Sequence, residues 1–484
     1  MTWTVDEQLA LTAMEAVAAI QSGRLKAADY MATLLARAAA LSSLNALTTL
    51  DLDGALAAAQ RLDALPPEAK ARLPLAGLPI VVKDNINTAG LQTSAGTPAL
   101  EGFVPKTNAP SVQRLLDAGA IVLGKANMHE LAFGITSTNL AVHAGPVRNP
   151  YDPSLIPGGS SGGTAVAIAA RIVPAGLGTD TGGSTRIPAA LTGTVGFRPS
   201  VGNGGAERRY HDPNAVVPIS HTRDTVGPMA RTVADVALLD GVITGAGPLP
   251  TITLNGLRIG LPAPLWEGLE RQVEDVARAA LRRLETAGVT FVPVAMSELE
   301  TLNGLVGGPL AIHEAREDVL AWLVANDAPV RTVAELAVRI ASPDVRAIYD
   351  GVLADALGAH YDAALKQWRP RLQQYVAATF ADERLDALLF PTTRLVAVPI
   401  DDVNGSSTVS IDGAASIDTM DAFLRNTDPA STSGIPGLSL AAGMSASGLP
   451  VGLELDGPLG DDRRLLAIGV AVEQLLGAPP APVL

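Results

Sequence analysis

The sequence contains no cysteine, and this absence excludes several kinds of chemistry at once. A chain without thiols has no disulfides, no thiolate nucleophile, no iron–sulfur cluster and no cysteine-rich zinc site. The absence is typical of a protein from a reducing compartment. Residues 1–7 lack the basic region and the apolar stretch of a signal peptide, so the sequence predicts a cytoplasmic protein.

Aromatic residues and long apolar runs are also scarce. Aromatics make up 4% of the chain, so alanine and the aliphatic residues are expected to fill the core. A hydrophobic content of 48% with 17% charged residues predicts a globular fold. The longest apolar candidate, residues 164–178, is interrupted by Arg171 and Pro174. It falls short of the roughly 18 residues of a membrane-spanning helix, and the sequence predicts no membrane association.

Positive charge is in the minority. The chain has 35 lysines and arginines against 49 aspartates and glutamates, which gives a formal net charge of −14. An acidic surface repels phosphate backbones and anionic lipid headgroups. Since no basic run with interleaved aromatic residues is present, we expect no nucleic-acid partner.

Hydrophobic spacing divides the chain into three parts. Residues 1–75 are expected to form a helical segment, in which apolar residues between 9 and 20 predict one helix that ends at Ser22. Residues 76–235 alternate short apolar strands, helices and glycine-rich turns, which predicts an α/β sandwich with helices on both faces of a sheet. Residues 236–484 continue this mixture, with a polar surface loop at 401–416. No long linker separates the parts, so we expect one domain.

Two segments rich in glycine and serine are candidates for a functional site. The first, residues 157–163 (PGGSSGG), directly precedes a predicted helix and lets the backbone approach a ligand closely, although by itself it is equally typical of a flexible turn. The second, residues 178–186, places two glycines directly before Ser184. Amide groups of such a loop can point at one spot, as an oxyanion hole requires.

A serine nucleophile needs a base, and Lys83 is the notable candidate. It closes the short apolar strand predicted at residues 78–82. Such a lysine is usually solvated or paired, and the neighbouring Asp84 is a possible partner. A desolvated lysine, however, loses its proton more easily and can then act as a general base.

Taken together and in this order, these motifs resemble the amidase signature family. The matching segments are residues 83–85, 124–130, 145–150, 157–163 and 178–186. The resemblance extends over residues 5–475 and is most specific between 76 and 235. It implies a single α/β/α sandwich around a large mixed sheet, and an enzyme that hydrolyses small-molecule carboxylic amides without a metal or cofactor.

The resemblance also implies a Ser-cisSer-Lys triad. Ser184 would attack the carbonyl, Ser160 would relay the proton, and Lys83 would accept it and return it to the leaving amine. In the family, a cis peptide bond precedes the residue at the position of Ser160. The residues implied in the oxyanion hole are Thr181, Gly182, Gly183 and Ser184, and those implied in support are Ser161, Asp180 and Arg186.

Three further segments resemble the branch that hydrolyses aryl-substituted amides and includes mandelamide and indoleacetamide hydrolases. They lie at residues 200–213, 218–228 and 425–437. An aryl or arylalkyl amide is therefore the expected substrate, although the same triad could cleave anilides, esters or carbamates. Many relatives are dimers, so a homodimer is possible. The candidate pocket residues, which ordinary core packing would explain equally well, are Leu131, Phe133, Gly134, Ile135 and Thr136.

An α/β-hydrolase with a Ser-Asp-His triad is one competing hypothesis. The pattern Gly-x-Ser-x-Gly occurs in two registers, centred on Ser160 or Ser161. Four histidines follow downstream, at His211, His221, His313 and His360. The proline-rich residues 149–157 provide no apolar strand leading into the motif, which disfavours this fold.

A glutaminase and a nucleotide-binding protein are weaker hypotheses. A glutaminase subunit of a tRNA-dependent amidotransferase would carry an acidic residue where Leu424 stands, and an apolar residue there disfavours a charged amino-acid substrate. Residues 119–125 imitate a phosphate-binding loop, but Ala126 replaces the hydroxyl residue that holds Mg²⁺. The pair His129 and Glu130 has no third ligand nearby, so we predict no metal site.

Overall fold

The computed structural model describes residues 3–484, so the first two residues of the predicted helical segment lie outside the described range. The helices are α1 (Val5–Ala10), α2 (Ala13–Gln21), α3 (Ala27–Ala40), α4 (Leu52–Asp63), α5 (Pro67–Lys70), α6 (Pro110–Asp117), α7 (Gly162–Ala169), α8 (Arg186–Thr192), α9 (Val233–Thr244), α10 (Arg271–Thr286), α11 (Leu299–Ala325), α12 (Val333–Ala337), α13 (Pro343–Leu353), α14 (Gly358–Ala363), α15 (Arg369–Glu383), α16 (Thr419–Ser433) and α17 (Asp462–Leu476). A π-helical turn, Ala364–Trp368, joins α14 to α15.

The strands are β1 (Leu47–Leu50), β2 (Pro79–Lys83), β3 (Ile121–Ala126), β4 (Ala175–Asp180), β5 (Val195–Arg198), β6 (Thr225–Ala230), β7 (Arg258–Pro262), β8 (Thr290–Val294), β9 (Ala387–Pro391), β10 (Thr408–Val409), β11 (Ile417–Asp418), β12 (Gly437–Met444) and β13 (Pro450–Asp456). Short 3₁₀ turns occur at Ser42–Leu44, Pro98–Leu100, Glu130–Ala132, Gly205–Glu207 and Ala263–Trp266.

Eleven of these strands form one sheet in the order β1-β3-β2-β4-β6-β5-β12-β13-β9-β7-β8. Strand β2 runs parallel to β3 and β4, and β7 runs parallel to β8 and β9. The remaining neighbours are antiparallel. This large mixed sheet with flanking helices confirms the predicted α/β fold class.

The helical N-terminal segment differs from the prediction in two respects. Instead of one helix over residues 9–20, the chain forms α1 and α2, and each begins with a capping box. Thr12 and Glu15 form the second box, which interrupts the helix although the apolar spacing continues. The segment also contributes β1 to the edge of the sheet.

Two further boundaries differ from the sequence prediction. The polar residues 401–416 are not wholly a loop, because β10 lies within them and pairs with β11. Helix α7 begins at Gly162, inside the glycine-rich segment, because glycine readily adopts the conformation at a helix start. No helix in the described range is both long and apolar enough to cross a membrane.

The parallel pair β2 and β4 positions the candidate site. Val82 of β2 lies opposite Leu177 of β4 in the register of this pair. Because the two strands point the same way, Lys83 at the end of β2 and the loop after Asp180 meet at one edge of the sheet. All five residues of β2 and all six of β4 are buried, so this edge is enclosed by the rest of the protein.

Candidate active site

Lys83 is fully buried at the end of β2 and contacts two hydroxyl groups. Its Nζ lies 2.7 Å from Ser160 Oγ and 2.7 Å from Thr179 Oγ1. Burial lowers the pKa of Lys83 well below its ordinary value, and the charges of Asp180 and Asp224 oppose this only in part. Burial therefore favours the neutral amine more than it is favoured in an exposed lysine.

The neighbouring Asp84 is engaged with a second buried lysine, Lys125, and not with Lys83. Successive residues of an extended chain point to opposite faces, and Asp84 Oδ1 lies 3.9 Å from Lys125 Nζ. Lys125 also donates to the carbonyl of Ile86 and to Thr93 Oγ1, both at 2.7 Å. The pKa of Lys125 is lowered to about 8, because the effect of burial exceeds the opposing effect of the Asp84 charge. Lys83 thus lacks the aspartate that its sequence position suggests.

The glycine-rich segment, residues 157–163, is fastened to β4 through its serines. The peptide bond between Gly159 and Ser160 is cis. Ser161 Oγ donates to the carbonyl of Thr179 at 3.1 Å and accepts from the Thr179 N–H at 3.2 Å. A Cβ on Gly178 would lie 2.7 Å from Ser161 Oγ, which explains why glycine is required there.

The Ser184 loop, residues 181–185, lies against this segment. The Ser184 carbonyl accepts a hydrogen bond from the Ser161 N–H at 3.1 Å. Thr181 Oγ1 donates to Asp224 at 2.6 Å, and Thr427 Oγ1 donates to the Gly182 carbonyl at 2.6 Å. Among residues 3–484, none of the backbone–backbone hydrogen bonds outside the helices and strands uses the N–H groups of residues 181–184. These amides are available to a ligand.

Below the loop, Asp180 and Arg186 form the centre of a buried ionic network. Arg186 binds Asp180 through Nε at 3.1 Å and through a terminal nitrogen at 2.9 Å, and Arg198 binds the same carboxylate at 3.1 Å. Burial by itself would raise the pKa of Asp180, but the two arginines hold it well below its usual range. Arg186 also contacts Glu454 and donates to the Thr427 carbonyl at 2.8 Å. The network fixes the base of the Ser184 loop.

Ser184 opens onto a cavity of about 210 Å³. Three of the five candidate pocket residues, Phe133, Gly134 and Ile135, line it. Leu131 does not, because it packs in an apolar cluster and is 1% exposed. Thr136 lines an adjoining cavity, which shares Phe133, Gly134, Ile135, Ile348 and Met420 with the first.

Sequence reasoning missed most of the opposite wall, which comes from distant parts of the chain. Its residues are Ile219, Arg223, Gly307, Gly308, Ala311, Ile312, Ile348, Met420, Leu424 and Asp428. Apart from the paired Arg223 and Asp428 this wall is apolar or glycine. Leu424 was recognised by its position relative to residues 435–437, and Ile219, Arg223 and Asp428 lie in segments that resemble the aryl amide branch. The other wall residues carry no local motif.

The histidines required by a Ser-Asp-His triad lie elsewhere. His221 Nδ1 is 3.0 Å from Asp318 Oδ2, and His313 Nδ1 is 2.8 Å from Asp355 Oδ1. His211 and His360 are exposed. His129 Nε2 is 2.9 Å from Asp344, and its Nδ1 accepts from the Ser137 N–H at 3.1 Å. The side-chain base that contacts Ser160 is Lys83.

One group of side chains in the described range has spacing compatible with a metal ion: His221, Glu314 and Asp318. Glu314 already accepts hydrogen bonds from Thr222 at 2.9 Å and from Tyr361 at 3.1 Å. These bonds and the ion pair of His221 with Asp318 explain the group without a metal. The predicted pair His129 and Glu130 instead binds residues 341–344.

Comparisons with known proteins define the class. The model of the amidase family matches residues 29–466. Mandelamide hydrolase from Pseudomonas putida is 43% identical over 487 residues, which cover 98% of this chain and 92% of the relative. Indoleacetamide hydrolase from Rhizobium radiobacter is 42% identical over 464 residues, covering 94% and 95%. The structure of peptide amidase from Stenotrophomonas maltophilia has a TM-score of 0.81 at 30% identity and 98% coverage of both chains.

The fold and these relatives define an amide hydrolase that acts on small molecules. The chain belongs to the amidase family. The resemblance drawn from the ordered motifs is therefore confirmed.

Proposed function

We propose that this amidase hydrolyses an aryl or arylalkyl carboxylic amide through an acyl-enzyme on Ser184. The observation that carries the proposal is the 2.7 Å contact between the buried Lys83 Nζ and Ser160 Oγ, next to the loop whose Ser184 lines a cavity. A nucleophile, a base and oxyanion donors are together sufficient for acyl transfer. The proposal requires no metal and no cofactor.

In the proposed reaction, neutral Lys83 takes the proton of Ser160 while Ser160 takes the proton of Ser184. Ser184 Oγ then forms a bond to the carbonyl carbon, and the carbonyl oxygen becomes an oxyanion. When the C–N bond breaks, the proton held on Lys83 returns through Ser160 to the leaving nitrogen. Water attacks the acyl-enzyme by the same proton route, which releases the acid and restores Ser184.

The amides of Thr181, Gly182, Gly183 and Ser184 hold the oxyanion in this proposal. Their N–H groups belong to a loop braced from below by Arg186 and from the side by Thr427. Donors that are already oriented stabilise a developing negative charge without reorganisation. Asp180 and Arg186 act by positioning this loop, and Ser161 by fastening the neighbouring segment to β4.

The apolar cavity supports an aryl acyl group. Ile219, Ile312, Ile348 and Met420 present no polar atoms except the methionine sulfur, and Phe133 offers a ring face. Relatives named as mandelamide and indoleacetamide hydrolases are over 40% identical to this chain. An aromatic ring gains free energy from burial in such a wall, whereas a charged acyl group would lose hydration.

Glutamine fits this cavity poorly. Leu424 stands beside Gly182, with its Cδ2 at 3.1 Å from the position that a Cβ on Gly182 would occupy. The acidic side chain that is present, Asp428, is already bonded to Arg223 and to Asn303, the latter at 2.9 Å. An incoming ammonium group would therefore also face the positive charge of Arg223. We infer that the chain is not a glutaminase subunit.

An ammonia-release assay tests the proposed substrate class. Phenylacetamide, mandelamide, indole-3-acetamide and glutamine are offered to the purified protein at equal concentrations. We expect turnover of the aryl amides and none of glutamine. Turnover of glutamine alone would overturn the proposal, and a failure of all four would move the test to anilides, esters and carbamates.

The pH dependence of kcat/KM should report the proton on Lys83. Only the neutral amine can act as the base, so activity should rise with pH as Lys83 loses its proton. Because burial lowers the pKa of Lys83, this rise should reach its plateau well below pH 10.5. The measurement is kcat/KM for phenylacetamide between about pH 5 and 10, since this ratio reports ionisations of the free enzyme. A flat profile over this range, with chemistry rate-limiting, would count against Lys83 as the base.

Gly183→Ala should lower kcat by about 10²-fold or more, the size expected for one lost oxyanion donor. Gly183 has φ +146°, and an added Cβ would lie 2.2 Å from Thr427 Oγ1, so the loop must move. The matched control is Gly90→Ala, which has φ +83° but no atom within 4 Å of the added Cβ. The control should retain wild-type kcat. Equal effects of the two variants would show that general backbone strain, and not the loop geometry, is responsible.

A further inference from the structure

An ion pair of a buried arginine and a half-buried aspartate lies in the largely apolar cavity of Ser184. Arg223 is 3% exposed and lines the cavity together with Asp428. One terminal nitrogen of Arg223 binds Asp428 Oδ1, and the other donates to the Gly307 carbonyl at 2.7 Å. Pairs of this kind add little to stability compared with apolar residues of similar volume. A role in substrate recognition therefore explains the pair better than a role in stability.

Two atoms of this pair retain hydrogen-bonding capacity. The terminal nitrogen of Arg223 that binds Asp428 carries a second N–H, for which no acceptor is found within residues 3–484. Asp428 Oδ2 accepts from Asn303 at 2.9 Å and from Thr432 at 3.3 Å, whereas Oδ1 accepts from Arg223. A carboxylate oxygen can accept two hydrogen bonds, so Oδ1 has one further site. A donor and an acceptor are thus left side by side.

The chemistry of this pair fits a neutral hydroxyl group. A hydroxyl can accept from this second N–H of Arg223 and donate to Asp428 Oδ1 at the same time. An anionic substituent would face Asp428 and a cationic one would face Arg223, so the pair disfavours both charges. An unsubstituted aryl amide that displaces solvent from the pair would leave this donor and acceptor capacity unused, which costs affinity.

The pair also lies beside the Ser184 loop. Asp428 Oδ1 is 3.1 Å from the position that a Cβ on Gly182 would take, and an Arg223 terminal nitrogen is 3.6 Å from it. Gly182 belongs to the proposed oxyanion hole. A hydroxyl that meets the pair therefore lies close to the reacting carbonyl and not at the far end of an aromatic ring.

We propose that Arg223 and Asp428 are specificity residues that select arylacetamides carrying a hydroxyl on the carbon next to the carbonyl. This inference rests on the proposed aryl amide hydrolysis and names the substrate class within it. The two side chains contact the substituent, while Ser184 and Lys83 carry out the chemistry.

The test compares kcat/KM for mandelamide with kcat/KM for phenylacetamide, which differs only by that hydroxyl. The wild-type protein should favour mandelamide by about tenfold or more, the effect of a hydrogen bond to a charged group. The variant Arg223→Met/Asp428→Leu removes both charges together and so leaves neither one buried without a partner. In this variant the ratio should fall at least about fivefold towards the intrinsic reactivity ratio of the two amides.

Two controls separate recognition from general disturbance of the cavity. Ile219→Val alters the same wall without touching the pair and should keep the wild-type ratio. 4-Hydroxyphenylacetamide carries its hydroxyl on the ring and should gain no advantage over phenylacetamide. Because each result is a ratio of two substrates on one protein, a change in overall activity cancels.

The outcomes are distinct from those that test the proposed function. If wild-type protein hydrolyses neither aryl amide, the proposed function itself fails. If it hydrolyses phenylacetamide but shows no preference for mandelamide, or a preference only for the ring hydroxyl, the inference is overturned. An unchanged ratio in the double variant would overturn it as well. Should that variant fail to fold, the wild-type comparison of the three amides still decides.

Discussion

Ser184→Ala should lower kcat/KM for an aryl amide by at least about 10⁴-fold. Without its hydroxyl the loop has no nucleophile, and the neighbouring Ser160 lies behind it in contact with Lys83. The oxyanion donors and the cavity remain, so substrate binding should persist after activity has gone. The measurement is ammonia release from phenylacetamide, combined with a direct binding assay.

A covalent probe tests directly whether Ser184 is the nucleophile. An arylsulfonyl fluoride should add one adduct to the wild-type protein, detected by intact mass, and none to Ser184→Ala. The control is Ser447→Ala, which alters an exposed serine outside the cavity and should keep both activity and labelling. Activity that survives Ser184→Ala would refute the acyl-enzyme.

Lys83→Met is expected to reduce kcat by about 10²- to 10⁴-fold, the usual contribution of a general base. Methionine matches the stem of lysine up to Cε, and Lys83 contacts only hydroxyl groups at its Nζ, at 2.7 Å. No buried charge is left without a partner, so the midpoint of thermal unfolding should not fall. The residual activity should lose the rise with pH that the wild-type protein shows.

Lys125→Met provides the matched control, because Lys125 is the other fully buried lysine near the end of β2. This change leaves Asp84 buried without its cation, which should destabilise the fold by about 3 to 5 kcal/mol. The double variant Lys125→Met/Asp84→Asn also removes the charge of Asp84, so it should recover much of the lost stability. We expect the folded fraction of both variants to keep the wild-type pH profile. A loss of the pH dependence in Lys125→Met but not in Lys83→Met would instead make Lys125 the base.

The sequence predicted the parts of the site that are local. Lys83 ends a short apolar strand, and residues 157–163 and 178–186 are dense in glycine, so each could be recognised from its own neighbourhood. The structure brings these three segments together at one edge of the sheet. Thr179, which shares Lys83 Nζ with Ser160, was missed although it lies inside one of these segments.

The contacts across the cavity wall could not be predicted in the same way. Arg223 and Asp428 are separated by 205 residues of chain, and they meet Gly307 only because α11 and α16 pack beside the Ser184 loop. No local pattern distinguishes Ile312 or Ile348 from ordinary core residues. Leu131 is close to the cavity in sequence, but it is not among the lining residues and packs in an apolar cluster.

The N-terminal helices show how a local signal can be overlooked. Apolar spacing continues from residue 9 to residue 20, which favours one helix. The capping box of Thr12 and Glu15 nevertheless starts a new helix, because it satisfies backbone groups that a continuous helix would use differently. The pattern Thr-x-x-Glu at residues 12–15 is typical of a helix start, and here it determines the boundary in spite of the continuing apolar periodicity.

The partners of Arg186 determine when during synthesis the site can form. Arg186 holds the Ser184 loop through Thr427 and Glu454, which follow it by 241 and 268 residues. At translation rates of about 5 to 20 residues per second, the loop waits roughly 12 to 48 s for the first of them. A nascent chain therefore carries its serine long before the groups that organise it. Hydrolytic capacity should appear only when almost the whole polypeptide has been made.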